Sequence, residues 1–206
     1  DALKRGKKSE VRETLKLVER QTEYMAAVIQ QMLSFSRDAQ HDEEEVVNLN
    51  DAVKTVLSIQ AKRLEQDEIE IRHVRSRKVP LVYGRRVQLE QVCYNLLQNA
   101  AQAVYGQDEQ TIVFQTRVRG QRAQLEVRDS GIGIPPSLQQ QVFEPFFTTK
   151  SRHMGTGLGL SVSLRIAEQH HGHLRLRSRP GKGTTFLLDL PLHSRKRRSA
   201  AQELDG

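Results

Sequence analysis

Hydrophobic residues in the first forty positions recur in alternating steps of four and three. Such a repeat is typical of helices that pack lengthwise in a coiled coil or four-helix bundle. Leu17, Ala26 and Leu33 widen the apolar stripe, which favours a bundle. The pattern predicts a long helix over residues 10–37, capped by Ser9, and a homodimer, because one helix cannot bury this seam alone. The seam consists of Val11, Leu15, Val18, Thr22, Met25, Ile29, Met32 and Ser36.

An acidic stretch over residues 38–45 follows and predicts a domain boundary. Beyond it, helical and strand patterns alternate. We expect Asn50 to cap the first helix of this part and Gly172 to end the last one. The pattern also predicts a helix over residues 86–105 and places Leu160, Leu164 and Ala167 on the inward face of the last helix. The predicted strands cover residues 46–49, 69–73, 81–84, 111–119, 122–128, 173–177 and 184–190.

Several of these strands pair as hairpins, while helices lie between others. This order predicts an α+β fold in which a layer of helices covers one face of a mixed sheet. We expect three parts: residues 1–40 as a mainly helical part, 46–192 as the α+β domain, and 193–206 as a basic tail.

Composition narrows the class of protein. The 206 residues are 37% hydrophobic and 28% charged, which is enough for one medium domain with an extra element. No run approaches the ~18 apolar residues of a membrane span, and the single cysteine, Cys93, fits a reducing compartment. Basic runs at both ends carry much of the net charge of +7, and we interpret them as solvated tails. We expect a cytoplasmic segment that contacts neither nucleic acid nor membrane.

Two glycine clusters bracket an apolar-aromatic stretch, FEPFF, in the second half of the chain. The first cluster contains Gly131 and Gly133, and the second, residues 155–159, leads directly into a helical pattern. Backbone amides at a helix N-terminus favour an anion, most often a phosphate. Upstream, Asn95 and Asn99 lie one turn apart on a largely apolar helix, where asparagine is a poor helix former. These features predict a nucleotide-binding site.

Five motifs then occur in an order that resembles sensor histidine kinases. NLLQNAAQA at Asn95 resembles their N box, DSGIG at Asp129 the first glycine box, and FEPFFTTK at Phe143 the F box. GTGLGL at Gly155 resembles the second glycine box, and GKGTTF at Gly181 the last glycine-threonine element. Each motif is weak alone, but the five in register are specific.

The resemblance covers residues 46–192 as the catalytic ATP-binding domain, which implies a Bergerat-type ATP-binding sandwich. The helix over residues 10–37, ending in MLSFSRD, resembles the second helix of the dimerisation and phosphotransfer hairpin. The forms FFTTK and GTGLGLS are most similar to the nitrogen-regulation-type branch of these kinases.

The resemblance implies a role for each motif in binding ATP and Mg²⁺. Asp129 would accept a hydrogen bond from the exocyclic amine of adenine, and Thr184 would support Asp129 directly or through water. Asn99 would give its oxygen to Mg²⁺, and Asn95 would reach the phosphates, orient Asn99 or serve the fold. The other nucleotide-binding residues implied are Gly131, Gly133, Ile134, Phe147, Lys150, Gly155, Thr156, Gly157, Leu158, Gly159 and Leu160.

Lys150 is our second catalytic candidate after Asn99, since Gln102 and Ala103 stand where relatives often carry a basic residue and a tyrosine. The loop over residues 148–154 would form a lid over the nucleotide. Phe143, Phe146 and Phe147 would either anchor the lid and dock on the hairpin helices or simply pack in the core.

One departure from the family limits the prediction. No histidine in this sequence lies in the family's phosphoacceptor box, so we expect the chain, which starts at Asp1, to be a fragment that lacks the acceptor. The phosphoryl group would pass to a histidine outside this sequence and then to an aspartate of a response-regulator receiver domain. Two alternatives stay open: an ATPase of the gyrase, chaperone or mismatch-repair type, for which Glu90 is poorly placed relative to Asn99, and a nucleotide-binding interaction module.

Overall fold

The computed structural model describes residues 43–149 and 156–193. The predicted helix over residues 10–37 and all but the first residue of the tail lie outside the described residues. The described elements are, in chain order, β1 (Glu45–Asn48), α1 (Leu49–Gln66), β2 (Glu70–Val74), β3 (Leu81–Gly84), α2 (Arg86–Val104), β4 (Thr111–Arg119), β5 (Arg122–Asp129), α3 (Gly159–Gln169), β6 (His173–Ser178) and β7 (Thr184–Pro191). Two single-turn 3₁₀ helices, Pro136–Leu138 and Gln141–Phe143, lie between β5 and α3.

Five of the strands form one mixed sheet in the order β2-β4-β5-β7-β6. Strands β2 and β4 run parallel, and the other neighbours are antiparallel. The two hairpins, β4–β5 and β6–β7, are joined side by side through β5 and β7, which confirms the predicted pairings. Strands β1 and β3 form a separate antiparallel pair.

The core lies on one face of the five-stranded sheet. Along β5, Ala123, Leu125 and Val127 are buried, whereas the residues between them are part-buried or exposed. This alternation is typical of a sheet with one covered face. Helix α2 supplies much of the cover and buries Leu89, Val92, Cys93, Leu96, Leu97, Ala100 and Val104. The predicted layer of helices on a mixed sheet is confirmed, and it fixes α2 above the strand that ends at Asp129.

The predicted cap of α1 was wrong. The Asn48 side chain accepts the backbone N–H of Asn50 at 3.0 Å, so Asn48 is the N-cap. The helix begins two residues earlier than its apolar pattern indicated, because β1 ends at Asn48 and leaves no connecting loop. Asn50 instead accepts a hydrogen bond from the Thr116 hydroxyl at 2.6 Å, which ties α1 to β4.

The inward face of α3 was also only partly predicted. Val162 and Ile166 are buried with Ala167, while the two predicted leucines are part-buried and pack against the core from the side. The stop at Gly172 is correct, but the left-handed residue that ends the helix is His171, with φ of 54°. Gly172 donates to the Ala167 carbonyl at 2.8 Å, as in a Schellman motif.

Candidate functional site

Asp129 ends β5 with a buried carboxylate that is 4% exposed. Its Oδ1 accepts two backbone hydrogen bonds, from Gly131 N at 2.9 Å and from Thr184 N at 3.0 Å. Burial raises the pKa of Asp129, and the two backbone donors act against that shift. Because both donors use Oδ1, the other oxygen, Oδ2, is the acceptor that remains for a ligand. Thr184 therefore supports Asp129 directly, through its backbone amide.

Three glycines bring two loops against Asp129. A Cβ on Gly131 would collide with the carbonyl of Ala103 at the end of α2. Gly133 has φ of 72°, and a Cβ there would collide with the carbonyl oxygen of Arg179 in the β6–β7 turn. Gly183 has φ of 79° and lies against the Asp129 carbonyl itself. Only glycine fits these backbone positions, so the carboxylate is fixed between the two loops.

A hydrogen-bond network joins these same loops through Ser178 and Gln139, two residues outside all five motifs. Ile134 N donates to Ser178 Oγ at 2.7 Å. The Gln139 amide donates to the carbonyl oxygens of Ile134 and Ser178, both at 3.0 Å. Ser178 Oγ also lies 2.9 Å from the Thr184 hydroxyl. Sequence reasoning missed Ser178 and Gln139, because the pairing of β6 with β7 that brings them here leaves no local motif.

The two asparagines of α2 have different surroundings. Asn99 is part-buried, and its Nδ2 donates to the Asn95 carbonyl one turn back at 2.9 Å. Its Oδ1 is therefore the atom that can bind a ligand. Asn95 is 6% exposed and donates through Nδ2 to Gly159 O at 3.0 Å and Ser163 Oγ at 3.2 Å. The Asn95 side chain thus ties α2 to the first turns of α3, and its backbone carbonyl, rather than its side chain, orients Asn99.

The second glycine loop joins the N-terminus of α3 to the F box. Gly157 has φ of 66°, and a Cβ there would collide with the backbone of Phe146. Phe146 N donates to Gly157 O at 3.0 Å, and Leu158 N donates to Thr156 Oγ1 at 3.2 Å. Leu158 is buried and begins the helix as its N-cap. The hydrogen bond from Asn95 to Gly159 places the start of α3, where this loop ends, beside the N-box helix α2.

The three phenylalanines of the F box differ in exposure. Phe143 packs edge-to-face against Phe186, with ring centroids 6.4 Å apart, as the core-packing alternative predicts. Phe146 is 68% exposed and has φ of 66°, which is rare for a residue with a side chain. Phe147 is part-buried. Lys150 and Gly155 lie outside the described residues, as does most of the predicted lid.

A magnesium ion in this site would rely on oxygen from Asn99. The described ranges hold no cluster of three or more His, Cys, Asp or Glu side chains that could bind a metal ion. Mg²⁺ accepts amide oxygen and commonly keeps waters and substrate phosphates as its other ligands, so one protein oxygen fits its chemistry. Among residues 43–149 and 156–193, no helix combines the length and apolar character of a bilayer span.

Comparison with known proteins identifies the class. Residues 84–194 match the family described as histidine kinase-, DNA gyrase B-, and HSP90-like ATPase, and the chain belongs to this family. The members of this family share an ATPase fold that binds nucleotide. The predicted Bergerat-type sandwich is therefore confirmed.

Within that family the chain is a sensor histidine kinase catalytic domain. It is 36% identical over 181 residues to the signal transduction histidine-protein kinase AtoS of Escherichia coli, covering 88% of this chain and 29% of AtoS. It is 30% identical over 182 residues to the sensory histidine kinase/phosphatase NtrB of Vibrio alginolyticus, covering 84% of this chain and 50% of NtrB. The chain thus spans half or less of these curated relatives.

Solved structures agree with this assignment. The nucleotide-free catalytic domain of histidine kinase ThkA is 30% identical, with a TM-score of 0.64, over 73% of this chain and 96% of that domain. ThkA in complex with response regulator protein TrrA matches with 25% identity and a TM-score of 0.69, over 84% of this chain and 48% of that one.

The similarity to NtrB agrees with the nitrogen-regulation-type branch, but identity to AtoS is higher, so the branch stays a prediction.

Proposed function

We propose that this chain binds ATP with Mg²⁺ and transfers the γ-phosphoryl group to a histidine on a dimerisation hairpin, as part of a two-component sensor kinase. The observation that carries the proposal is the Asp129 carboxylate, whose Oδ1 is held by two backbone amides while Oδ2 remains for a ligand. A buried acceptor at the end of a sheet strand suits the exocyclic amino group of adenine. That amino group is the only N–H donor that the base of ATP carries, and a buried acceptor requires a donor.

The base end of the site consists of Asp129, Gly131, Gly133 and Thr184. The phosphate end consists of Asn99 and residues 156–159. At the phosphate end, the N-terminus of α3 favours the negative charge of a triphosphate. Asn99 Oδ1 would hold Mg²⁺, which when bound neutralises charge on the phosphates. Lys150, beyond the described residues, is proposed as a further cation for the phosphates.

Phosphoryl transfer asks the protein mainly for positioning and electrostatic stabilisation. The base end would fix the nucleotide, and the first turn of α3 would orient the phosphates towards the incoming histidine nitrogen. We propose that the heptad helix over residues 10–37 forms a homodimer that presents this histidine, and that the lid over residues 148–154 covers the nucleotide. A response-regulator receiver domain would then accept the phosphoryl group, a proposal that the ThkA–TrrA complex supports by similarity.

An ATPase mechanism with a glutamate on the N-box helix has less support. Glu90 is the only carboxylate in α2, and it precedes Asn99 by nine residues. That spacing places the two residues about 13 Å apart along the helix axis. Glu90 therefore lies too far from Asn99 to activate a water at the γ-phosphate.

The test supplies the missing partner. The chain is incubated with Mg²⁺ and γ-labelled ATP, together with a separate hairpin polypeptide that carries the phosphoacceptor histidine. We expect acid-labile label on the hairpin. Phosphate release without labelled hairpin would indicate an ATPase instead, and nucleotide binding with neither product would indicate an interaction module.

Two substitutions on α2 make this experiment specific. Asn99→Asp should lower transfer strongly, because it replaces a neutral amide by a carboxylate, whose negative charge beside the phosphates disturbs the Mg²⁺ site. Gln98→Ala is the matched control, since Gln98 contacts Gln60 of α1 and should leave transfer unchanged. Equal transfer by both variants would contradict the assignment of Asn99.

A further inference from the structure

We propose that Ser178 determines base specificity by holding the Thr184 hydroxyl as a hydrogen-bond acceptor towards the nucleotide. Ser178 lies at the end of β6, directly opposite Thr184 of β7 in the sheet register. It belongs to none of the five motifs in the sequence. The proposal rests on the proposed function, since it assigns a base-selecting role to a residue behind the adenine site.

The hydrogen-bond partners of Ser178 assign a proton to each hydroxyl. Ser178 Oγ accepts the N–H of Ile134 at 2.7 Å and lies 2.9 Å from the carbonyl oxygen of Gly183. A carbonyl oxygen can only accept, so the single Ser178 proton is donated to Gly183. Ser178 Oγ also lies 2.9 Å from Thr184 Oγ1, a contact in which either oxygen could donate; with its own proton on the Gly183 carbonyl, Ser178 accepts there. The Thr184 hydroxyl proton is therefore directed to Ser178.

This arrangement leaves the side chains of Asp129 and Thr184 with acceptors and no available donor. The N–H groups of Gly131 and Thr184 both donate to Asp129 Oδ1. The Thr184 hydroxyl donates to Ser178, so its lone pairs are what it can offer to a ligand or a bridging water. Asp129 Oδ2 and Thr184 Oγ1 are therefore two side-chain atoms of the base end that can only accept hydrogen bonds.

These two acceptors distinguish purines by the group at position 6 of the base. Adenine carries an amino group there and donates, whereas hypoxanthine and guanine carry a carbonyl oxygen, which would face two acceptors. A polar site rejects such a mismatch far more strongly than an apolar pocket rejects a missing methyl group. Without Ser178, the Thr184 hydroxyl could rotate and donate to a 6-carbonyl, and part of the discrimination would be lost.

The position of Ser178 is itself well fixed. The Gln139 amide bonds its backbone carbonyl at 3.0 Å, and the same amide bonds the carbonyl of Ile134. The loop that follows the first glycine box is thereby fastened to the end of β6. Ser178 can therefore hold its three partners in place before any nucleotide arrives.

The experiment measures the dissociation constants of ATP and ITP, which differ at position 6 of the base. Calorimetric titration, or competition against a fluorescent ATP analogue, is applied to the unsubstituted chain, Ser178→Ala and Ser178→Thr. Because one hydrogen bond changes an equilibrium by about tenfold, we expect the ITP-to-ATP ratio of Kd to fall about tenfold in Ser178→Ala. Ser178→Thr keeps the hydroxyl and should retain the original ratio.

The ratio separates base selection from simple support of the fold. If Ser178→Ala weakens ATP and ITP equally, or changes neither, the proposal is overturned. A threonine variant with the alanine ratio would also contradict a role for the hydroxyl. Should the alanine variant not fold, Ser178→Cys fills the space with a weak donor and acceptor, and a lower ratio is expected there too; an unchanged ratio overturns the proposal.

Failure of the proposed function gives a different result. Absence of ATP binding by the unsubstituted chain would overturn both the proposed function and the role of Ser178. ATP binding with a ratio that does not respond to position 178 would overturn the role of Ser178 alone.

Discussion

The base end of the site is held together by buried hydrogen bonds, whereas the phosphate end depends on part-buried side chains. At the base end, the carboxylate of Asp129 is 4% exposed and accepts two backbone amides contributed by separate loops. At the phosphate end, Asn99 is part-buried, and its Nδ2 donates to the Asn95 carbonyl of the same helix. Phe146, which bonds to Gly157 of the same end, is 68% exposed and has a left-handed backbone.

This difference indicates that the two ends of the site have separate functions. Buried and mutually bonded groups keep one geometry, which suits the recognition of a rigid base. Loosely packed, solvent-exposed segments open at lower cost in free energy, which suits a region that must admit a phosphoacceptor and release ADP. On this account, substitutions at the base end should change which nucleotide binds, and those at the phosphate end should change how Mg²⁺ and the phosphates are held.

The largest effect is expected from Asp129→Asn. Oδ1 can still accept both backbone amides, but an NH₂ group replaces Oδ2 and faces the adenine amine with a second donor. We expect ATP affinity to fall about 100-fold, since a charged hydrogen bond is lost and a mismatch is created. Calorimetric titration measures the change, and ITP should bind this variant better than ATP does.

The same variant should stay folded without nucleotide. Burial raises the pKa of Asp129, so the folded state binds its proton more readily than the unfolded state. The stability contributed by protonated Asp129 is complete below the unfolded pKa and is lost as the pH rises through the raised folded pKa, so the ionised carboxylate costs stability at pH 7 and an uncharged amide avoids that cost. Thermal unfolding at pH 7 should show an unchanged or higher midpoint. A strongly destabilised variant would indicate that Asp129 serves the fold rather than the base.

Asn95→Ala should lower stability by about 2 kcal/mol, because it removes one buried and one part-buried hydrogen bond. The free energy of unfolding in urea measures this loss, and Gln98→Ala on the same helix is the control. Nucleotide affinity should change less, since Asn95 acts by holding α3 against α2. Full stability together with lost ATP affinity would instead place Asn95 on the phosphates.

Asn99→Ala should lower the affinity for Mg·ATP about tenfold, as expected for one lost metal ligand among waters and phosphates. Stability and the affinity for Mg²⁺-free ADP should remain as in the unsubstituted chain, because within the part of the chain that the structure describes the Asn99 side chain bonds to a carbonyl of its own helix. Titrations with and without Mg²⁺ separate the two effects. Equal loss in both conditions would argue against metal binding by Asn99.

The smallest effect is expected outside the site, at His170, which joins the end of α3 to the chain between β3 and α2. Its Nδ1 donates to the Ile166 carbonyl at 2.8 Å, and its Nε2 accepts the backbone N–H of Arg85 at 3.1 Å. Both ring nitrogens are thus used by the neutral ring. Burial lowers the pKa of His170 below its usual 6.5, although the bond to Ile166 opposes the shift.

Because the folded state holds this proton less tightly than the unfolded state, the stability contributed by neutral His170 is complete above pH 6.5. It is lost as the pH falls through 6.5 and then through the folded pKa. Urea unfolding at pH 7.5 and 5.5 should show a smaller pH dependence for His170→Gln than for the unsubstituted chain. The exposed His173→Gln is the control, and equal pH dependence in all three proteins would contradict the role of His170.

Local patterns in the sequence predicted what local physics controls. Helix α2, both hairpins and the glycine loops follow from periodicity and from backbone positions that admit only glycine. The cap of α1 was misplaced because Asn48 and Asn50 are both good caps, and tertiary contact with Thr116 decides between them.

The hydrogen bonds that assemble the site could not be predicted from the sequence. The bond from Ile134 to Ser178 spans 44 positions, and the bond from Thr184 to Asp129 spans 55. No periodic signal connects residues so far apart, so the motifs predicted Asp129 and Thr184 as members of the site but not the proton arrangement behind them. The same reason explains why Asn95 could be placed on a stripe with Asn99 while its partners on α3 were not foreseen.

Amide hydrogen exchange in the absence and presence of ATP tests most directly whether the base end is already assembled in the free protein. The amides of Gly131 and Thr184 donate to a buried carboxylate, so the account predicts slow exchange without nucleotide and little further slowing when ATP binds. Fast exchange of both amides in the free protein, slowed only by ATP, would contradict the account, because the base end would then form on binding.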